Sequence, residues 1–182
     1  VPDWAVDAHV LRAHAQANPP LRTLVLAVTD RCNIGCDFCC HPHAESEIAD
    51  EDCIRLVTEA CEGEFVVVAL TGGEPFLRLP LVLRLAAITR AHGRLLTVLT
   101  NGYWAPQADR AGDVARRLVD AGAFKVTFSW DPSHAHFIPA SAIQNGLEAC
   151  MAAGLHGPCT LCGTILQGPD AAELLRAARL PG

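Results

Sequence analysis

Positive charge is scarce in this 182-residue chain: 14 lysines and arginines face 20 acidic residues, and the net charge is -6. The basic side chains gather into no run, so a phosphate backbone finds no electrostatic footprint and nucleic acid is not expected as a partner. Long hydrophobic runs are missing as well. No apolar stretch approaches the roughly 18 to 20 residues that span a bilayer, and the N-terminus lacks a basic segment followed by an apolar one. A soluble, cytoplasmic protein with no membrane partner is the expectation. Nothing reads as a linker, a low-complexity tract or a second domain, and 51% hydrophobic content suffices for one buried core. Cysteine, by contrast, is plentiful. There are nine, an odd number, and four of them crowd into residues 32 to 40 rather than spreading as a disulfide framework would. In a reducing compartment such a cluster points to metal or redox chemistry.

After an amphipathic lead-in over residues 1–20 that carries Trp4, Val10 and Leu11, short β-rich apolar runs alternate with longer segments of helical period. The runs are Leu24 to Val28, Phe65 to Leu70, Leu95 to Leu99, Phe124 to Ser129 and Thr160 to Leu166. Their near-continuous apolar character suits strands buried on both faces. Between them, Cys53, Ile54, Val57, Ala60 and Cys61 form one helical stripe behind the acidic start Asp50, Glu51 and Asp52. Further helices are expected from Pro80 to Gly93, through Val114 and Leu118 to Gly122, and through Ile143, Leu147 and Cys150 to Gly154. Asp170 with Glu173 reads as the capped start of a last helix. Such repetition predicts an α/β fold of right-handed βα units on a parallel sheet, either open and doubly wound or a barrel.

The first strand runs into Cys32, Cys36 and Cys39, with Gly35 free to bend the backbone between them. Three thiolates on a four-iron cube leave one iron open to a small molecule, as a reactive site requires. Zinc held by the three thiolates with Cys40, His41 or His43 is an alternative, and so is an electron-carrying cluster with Cys40 as fourth ligand. The second strand ends in Thr71, Gly72, Gly73, Glu74 and Pro75, the third in Thr100, Asn101 and Gly102, and the fourth in Ser129, Trp130 and Asp131. Every candidate thus lies at the carboxyl end of a strand, where βα-barrels build their sites.

The spacing Cys32-x3-Cys36-x2-Cys39, with Phe38 before the third cysteine, resembles the signature of the radical SAM superfamily, and Gly72-Gly73-Glu74 resembles that superfamily's Gly-Gly-Glu motif. The resemblance covers residues 21 to 168. It implies a [4Fe-4S] cluster on Cys32, Cys36 and Cys39, with S-adenosyl-L-methionine chelating the fourth iron. It implies contacts to that molecule from Phe38, Gly72, Gly73, Glu74, Asn101, Ser129 and Asp131. The stretch Cys162 to Gly168 loosely resembles the family's adenine-packing segment. Reductive cleavage would give a 5′-deoxyadenosyl radical that abstracts hydrogen from a peptide or small-metabolite substrate, fed by an external donor such as a flavodoxin or ferredoxin.

The implied fold is a partial (βα) barrel over residues 21–182. Five units are visible where the family has six, and with Val1 at the start the chain reads as a fragment. Two function classes compete with the enzyme: a non-catalytic metal module, and an inactive truncated core. His134 and His136 could face substrate but read rather as solvated loop histidines; Cys159 and Cys162, with Cys150 nearby, could ligate an auxiliary cluster but read rather as core cysteines; Cys53 and Cys61 read as packing.

Overall fold

The computed structural model describes residues 21–39, 44–155 and 160–162. Five strands, β1 (Thr23–Thr29), β2 (Val67–Gly72), β3 (Leu95–Thr100), β4 (Lys125–Ser129) and β5 (Thr160–Cys162), alternate with helices. These are α1 (Asp50–Glu62), α2 (Leu79–Ala91), α3 (Ala108–Ala121), the single turn α4 (Pro132–Ala135) and α5 (Ala140–Ala152). The expected lead-in, Cys40, His41, His43, Cys159, the run after Cys162 and the Asp170 helix lie outside the described residues.

Every neighbouring pair of strands is parallel, and their order across the sheet is their order in the chain. A doubly wound sheet reverses that order at its switch point, whereas a barrel does not. The topology is therefore that of a βα-barrel segment. It is an open arc among the described residues.

The helices form where the apolar period predicted. In α1 the acidic first turn faces the helix's positive end, and Cys53, Val57, Ala60 and Cys61 are buried. In α3 the buried stripe is Ala111, Val114, Ala115 and Leu118. Gly122 closes it at φ 91°, a left-handed cap in which any Cβ would also strike the Arg90 side chain. No helix among the described residues is long and apolar enough to cross a membrane.

Burial departs from the expectation in one respect. Leu26, Val28, Val68, Leu70, Val98, Val126 and Phe128 are buried, Phe128 being packed on Gly146 of α5. The alternate residues face the other way, and these are only partly covered: Val25 is 64% exposed, and Ala69, Thr71, Thr97, Leu99, Thr127 and Ser129 are intermediate. The sheet is buried on its helix side, and its concave side stays accessible. Side chains alternate across a strand, so that accessible face ends at the same rim as the motifs.

Candidate functional site

The cysteine loop leaves β1 at Thr29, whose buried hydroxyl accepts from Arg31 N at 3.0 Å and turns the chain. Ile34 drops its side chain into the core, and Cys39 N donates to Cys36 O at 3.1 Å, closing a tight turn. Cys32 and Cys36 are partly buried and Cys39 is exposed. Burial, with Asp131 and the neighbouring thiols behind it, pushes the Cys36 thiol up to about 11. Burial also raises Cys32. Deprotonating such a pair calls for nearby positive charge of the kind a metal centre provides.

Gly35, expected to free the backbone to bend between the cysteines, has no left-handed φ, and a Cβ there would meet nothing within 4 Å. The steric demand falls on the next strand end instead. Gly72 sits at φ 127°, and a Cβ on it would come 2.3 Å from Thr29 O; one on Gly73 would come 2.0 Å from Arg31 O. Their bareness lets β2 press against the root of the cysteine loop, where Gly73 N donates to Thr29 O at 2.7 Å and Glu74 N to Arg31 O at 2.8 Å.

Glu74 was expected among the contacts to S-adenosyl-L-methionine. It turns inward and is 1% exposed. Its Oε1 accepts from Phe76 N at 3.0 Å and Thr100 Oγ1 at 2.9 Å, and its Oε2 accepts from Asn101 N at 2.7 Å. Desolvation lifts its carboxyl to about 7 against the pull of those donors. A short 3-10 turn, Pro75–Arg78, which the periodicity gave no sign of, starts on this residue as its cap. The carboxylate thus binds two strand ends together from beneath.

Asn101 stands above it. Its side-chain Nδ2 donates to Asn33 Oδ1 at 2.9 Å and lies 3.9 Å from Cys32 Sγ, while Oδ1 accepts from Tyr103 N at 3.0 Å. At the end of β4, Ser129 is partly exposed and Asp131 is fully buried. Asp131 was also expected at a ligand, but its carboxylate caps α4, accepting from His134 N at 3.1 Å and facing His134 Nδ1 at 2.9 Å. His134, weighed as a residue facing substrate or a solvated loop histidine, lines the site. Its side chain is 12% exposed and its ring packs tilted on Phe38 at 5.6 Å, while Ser133 hydrogen-bonds Asp37. The Asp-x-x-His spacing at a helix start was the available signal for that placement. His136 is exposed, as expected for a solvated histidine.

One pocket gathers these parts. Cys32, Cys36, Phe38 and Cys39 line one side, Gly72, Gly73, Asn101 and Ser129 the other, and His134 completes the wall. Glu74 and Asp131 stand behind that lining. Among the described residues no three Cys, His, Asp or Glu side chains converge as they would on a single ion. Zinc would draw thiolates to about 2.3 Å from one point, whereas a four-iron cube spreads its ligands over separate corners. The further zinc ligands considered, Cys40, His41 and His43, lie outside the described residues.

A family model for the radical SAM superfamily matches residues 26–180. The chain is 33% identical over 184 residues to a GTP 3',8-cyclase of Synechococcus sp. (strain CC9902), covering 88% of this chain and 52% of that one. It is 29% identical over 131 residues to the peptide biosynthesis protein YydG of Bacillus subtilis (strain 168), covering 70% and 41%. The chain thus spans about half the length of the curated relatives it matches. In fold it resembles anSMEcpe, solved with bound AdoMet and the Cp18Cys peptide, at a TM-score of 0.60 and 18% identity over 88% of this chain and 47% of that one. Methylornithine synthase (PylB) gives a TM-score of 0.56 at 16% identity, over 96% and 55%. These structures bear out the expected partial barrel. By motif, topology and family match together, this chain belongs to the radical SAM superfamily, whose members are enzymes that generally use S-adenosyl-L-methionine and a [4Fe-4S] cluster.

Proposed function

We propose that residues 21–182 form the cofactor-binding core of a cytoplasmic radical SAM enzyme, with Cys32, Cys36 and Cys39 as ligands of a [4Fe-4S] cluster. The observation that carries this reading is the direct bonding of the Gly73-Glu74 backbone to the root of the cysteine loop, which makes the two motifs walls of one pocket. When bound, the cluster supplies one electron that breaks a carbon-sulfur bond of S-adenosyl-L-methionine, yielding methionine and a radical that takes hydrogen from substrate.

The protein's part is to hold and shelter. The two bare glycines bring a backbone edge to the pocket that can receive the amino acid end of the cofactor. Phe38 and His134 offer ring faces for its base. Ser129 contributes a hydroxyl. Glu74 and Asp131 act through their neighbours, the first by fixing the β2 and β3 ends and the second by orienting His134.

The accessible concave face leaves room for a substrate beside that pocket. A peptide is the favoured class, supported by the peptide biosynthesis relative and by the peptide bound in the anSMEcpe structure, and a small metabolite is the alternative. An external low-potential protein such as a flavodoxin or ferredoxin would deliver the electron.

The test is anaerobic reconstitution of the purified chain with iron and sulfide, reduction, addition of S-adenosyl-L-methionine and assay of 5′-deoxyadenosine. Product that disappears together with the cluster in Cys36→Ala is the expected result. Tight zinc uptake without iron would replace the reading with a structural metal module, and a full cluster with no product would leave a binding core without turnover.

A further inference from the structure

Asn101 occupies an unusual place in the pocket wall, because nearly all of its hydrogen-bonding capacity is used inside the protein. Its backbone N–H is held by Glu74 Oε2, and its side-chain oxygen caps Tyr103 N. One amide hydrogen reaches Asn33 Oδ1 at 2.9 Å, and the same nitrogen lies 3.9 Å from Cys32 Sγ. The residue is 5% exposed, so water competes little for these donors. The surroundings of the cysteines are unequal. The backbone N–H groups of Ile34 and Asn33 also act on the Cys32 sulfur, whereas Cys36 has Asp131 and Asp37 as negative neighbours.

We propose that Asn101 is a redox-positioning residue: its amide, locked from below by Glu74, donates to the Cys32 sulfur and raises the reduction potential of the cluster held by Cys32, Cys36 and Cys39. This rests on the cluster reading above. A donor aimed at a ligand sulfur draws off electron density and stabilises the more negative, reduced state. One electron enters from an external low-potential donor; no bond breaks and no proton moves, because the amide hydrogen stays on nitrogen in both states. The buried carboxylate of the Gly-Gly-Glu motif thereby gains a purpose at the metal, through Asn101, without touching it.

The test uses the full chain, reconstituted and free of S-adenosyl-L-methionine, titrated with dithionite and read by electron paramagnetic resonance. Asn101→Leu keeps the volume and removes the donor without adding charge. Its reduced-to-oxidised ratio at a fixed potential should fall by up to about tenfold, equivalent to ~59 mV for one electron. Asn33→Ala, which removes only the other acceptor, should leave the ratio within about twofold of wild type. A wild-type potential in Asn101→Leu, at full iron content, overturns the proposal. So does weakened S-adenosyl-L-methionine binding at unchanged potential, which would make Asn101 a ligand contact instead.

If Asn101→Leu does not fold, wild-type protein carrying a nitrogen label in its asparagine side-chain amides provides the second measurement. Electron-nuclear double resonance should then show a labelled nitrogen coupled to the reduced cluster, persisting in Asn33→Ala; no coupling refutes the assignment. Failure of wild type to take up iron would remove the cluster reading and this inference with it, and is told apart by the iron content alone.

Discussion

The ends of β2 and β3 and the ends of β1 and β4 face one pocket but are built in opposite ways. At β2 and β3 the functional groups are buried and fully bonded: Glu74 takes three donors, and Gly72 and Gly73 lie against a neighbouring backbone with no space to spare. At β1 and β4 they are more open apart from the buried Asp131: Phe38 is 50% exposed, Cys39 is exposed, and the contacts between the two ends include a tilted ring pair and a surface hydrogen bond. The first pair is a fixed floor and the second an adjustable rim. Precision is concentrated where the motifs support the site, and latitude where a cofactor must enter.

That contrast can be broken at four points. Gly73→Ala would drive a Cβ to 2.0 Å from Arg31 O, a backbone atom that cannot swing aside, and should cost on the order of 4 kcal/mol or prevent folding, seen as a lost or shifted urea transition. Unaltered stability would show that the floor can give. Glu74→Ala strands the donors of Phe76, Thr100 and Asn101 and should cost about 3 kcal/mol by the same measurement.

The third point is pH. Glu74 ionises near 4.5 when unfolded and at about 7 when folded, so across that window the folded protein binds more protons. Its contribution is fully present below the unfolded value and is lost as pH rises through the folded one, a decline of roughly 2 kcal/mol between about pH 5 and pH 8 in the metal-free chain. Urea unfolding at the two pH values checks this, and a flat profile in wild type would refute it. Glu74→Gln should flatten the profile. The smallest effect belongs to the rim: Ser133→Ala removes the exposed bond to Asp37 and should change stability by no more than about 0.5 kcal/mol, with cluster uptake retained. A large loss there would mean that the rim is as rigid as the floor.

How much of this was readable in advance follows the range of the interactions. The strands, the helix stripes around Val57 and Leu118, and the placing of the cysteines and Gly72-Gly73-Glu74 at strand ends depend on local period and turn chemistry, and the sequence carried them. The inward turn of Glu74 did not follow, because its partners Thr100 and Asn101 arrive from residues 26 and 27 positions away. The approach of Asn101 to Cys32 spans 69 positions. Gly35 misled for the opposite reason: a glycine between two ligands suggests a bend, yet only the tertiary environment decides which glycines are sterically required. The exposure of Val25 and Ala27 was hidden by composition, since an apolar strand reads as buried on both faces whether or not something covers its concave side.

The consecutive strand order has a consequence for how such a pocket can change. With β1 to β5 laid down in chain order, the sequence of motifs is also their sequence around the rim, and each strand pairs only with the one before it and the one after, while the loop after β1 reaches across to Asn101 and to His134. A transplanted βα unit therefore replaces one wedge of the pocket and has two strand seams to heal, together with whatever contact its loop makes to the cysteine loop. Specificity in this architecture can be revised by the wedge, provided that the seam between β2 and β3, where Glu74 sits, is moved as a whole.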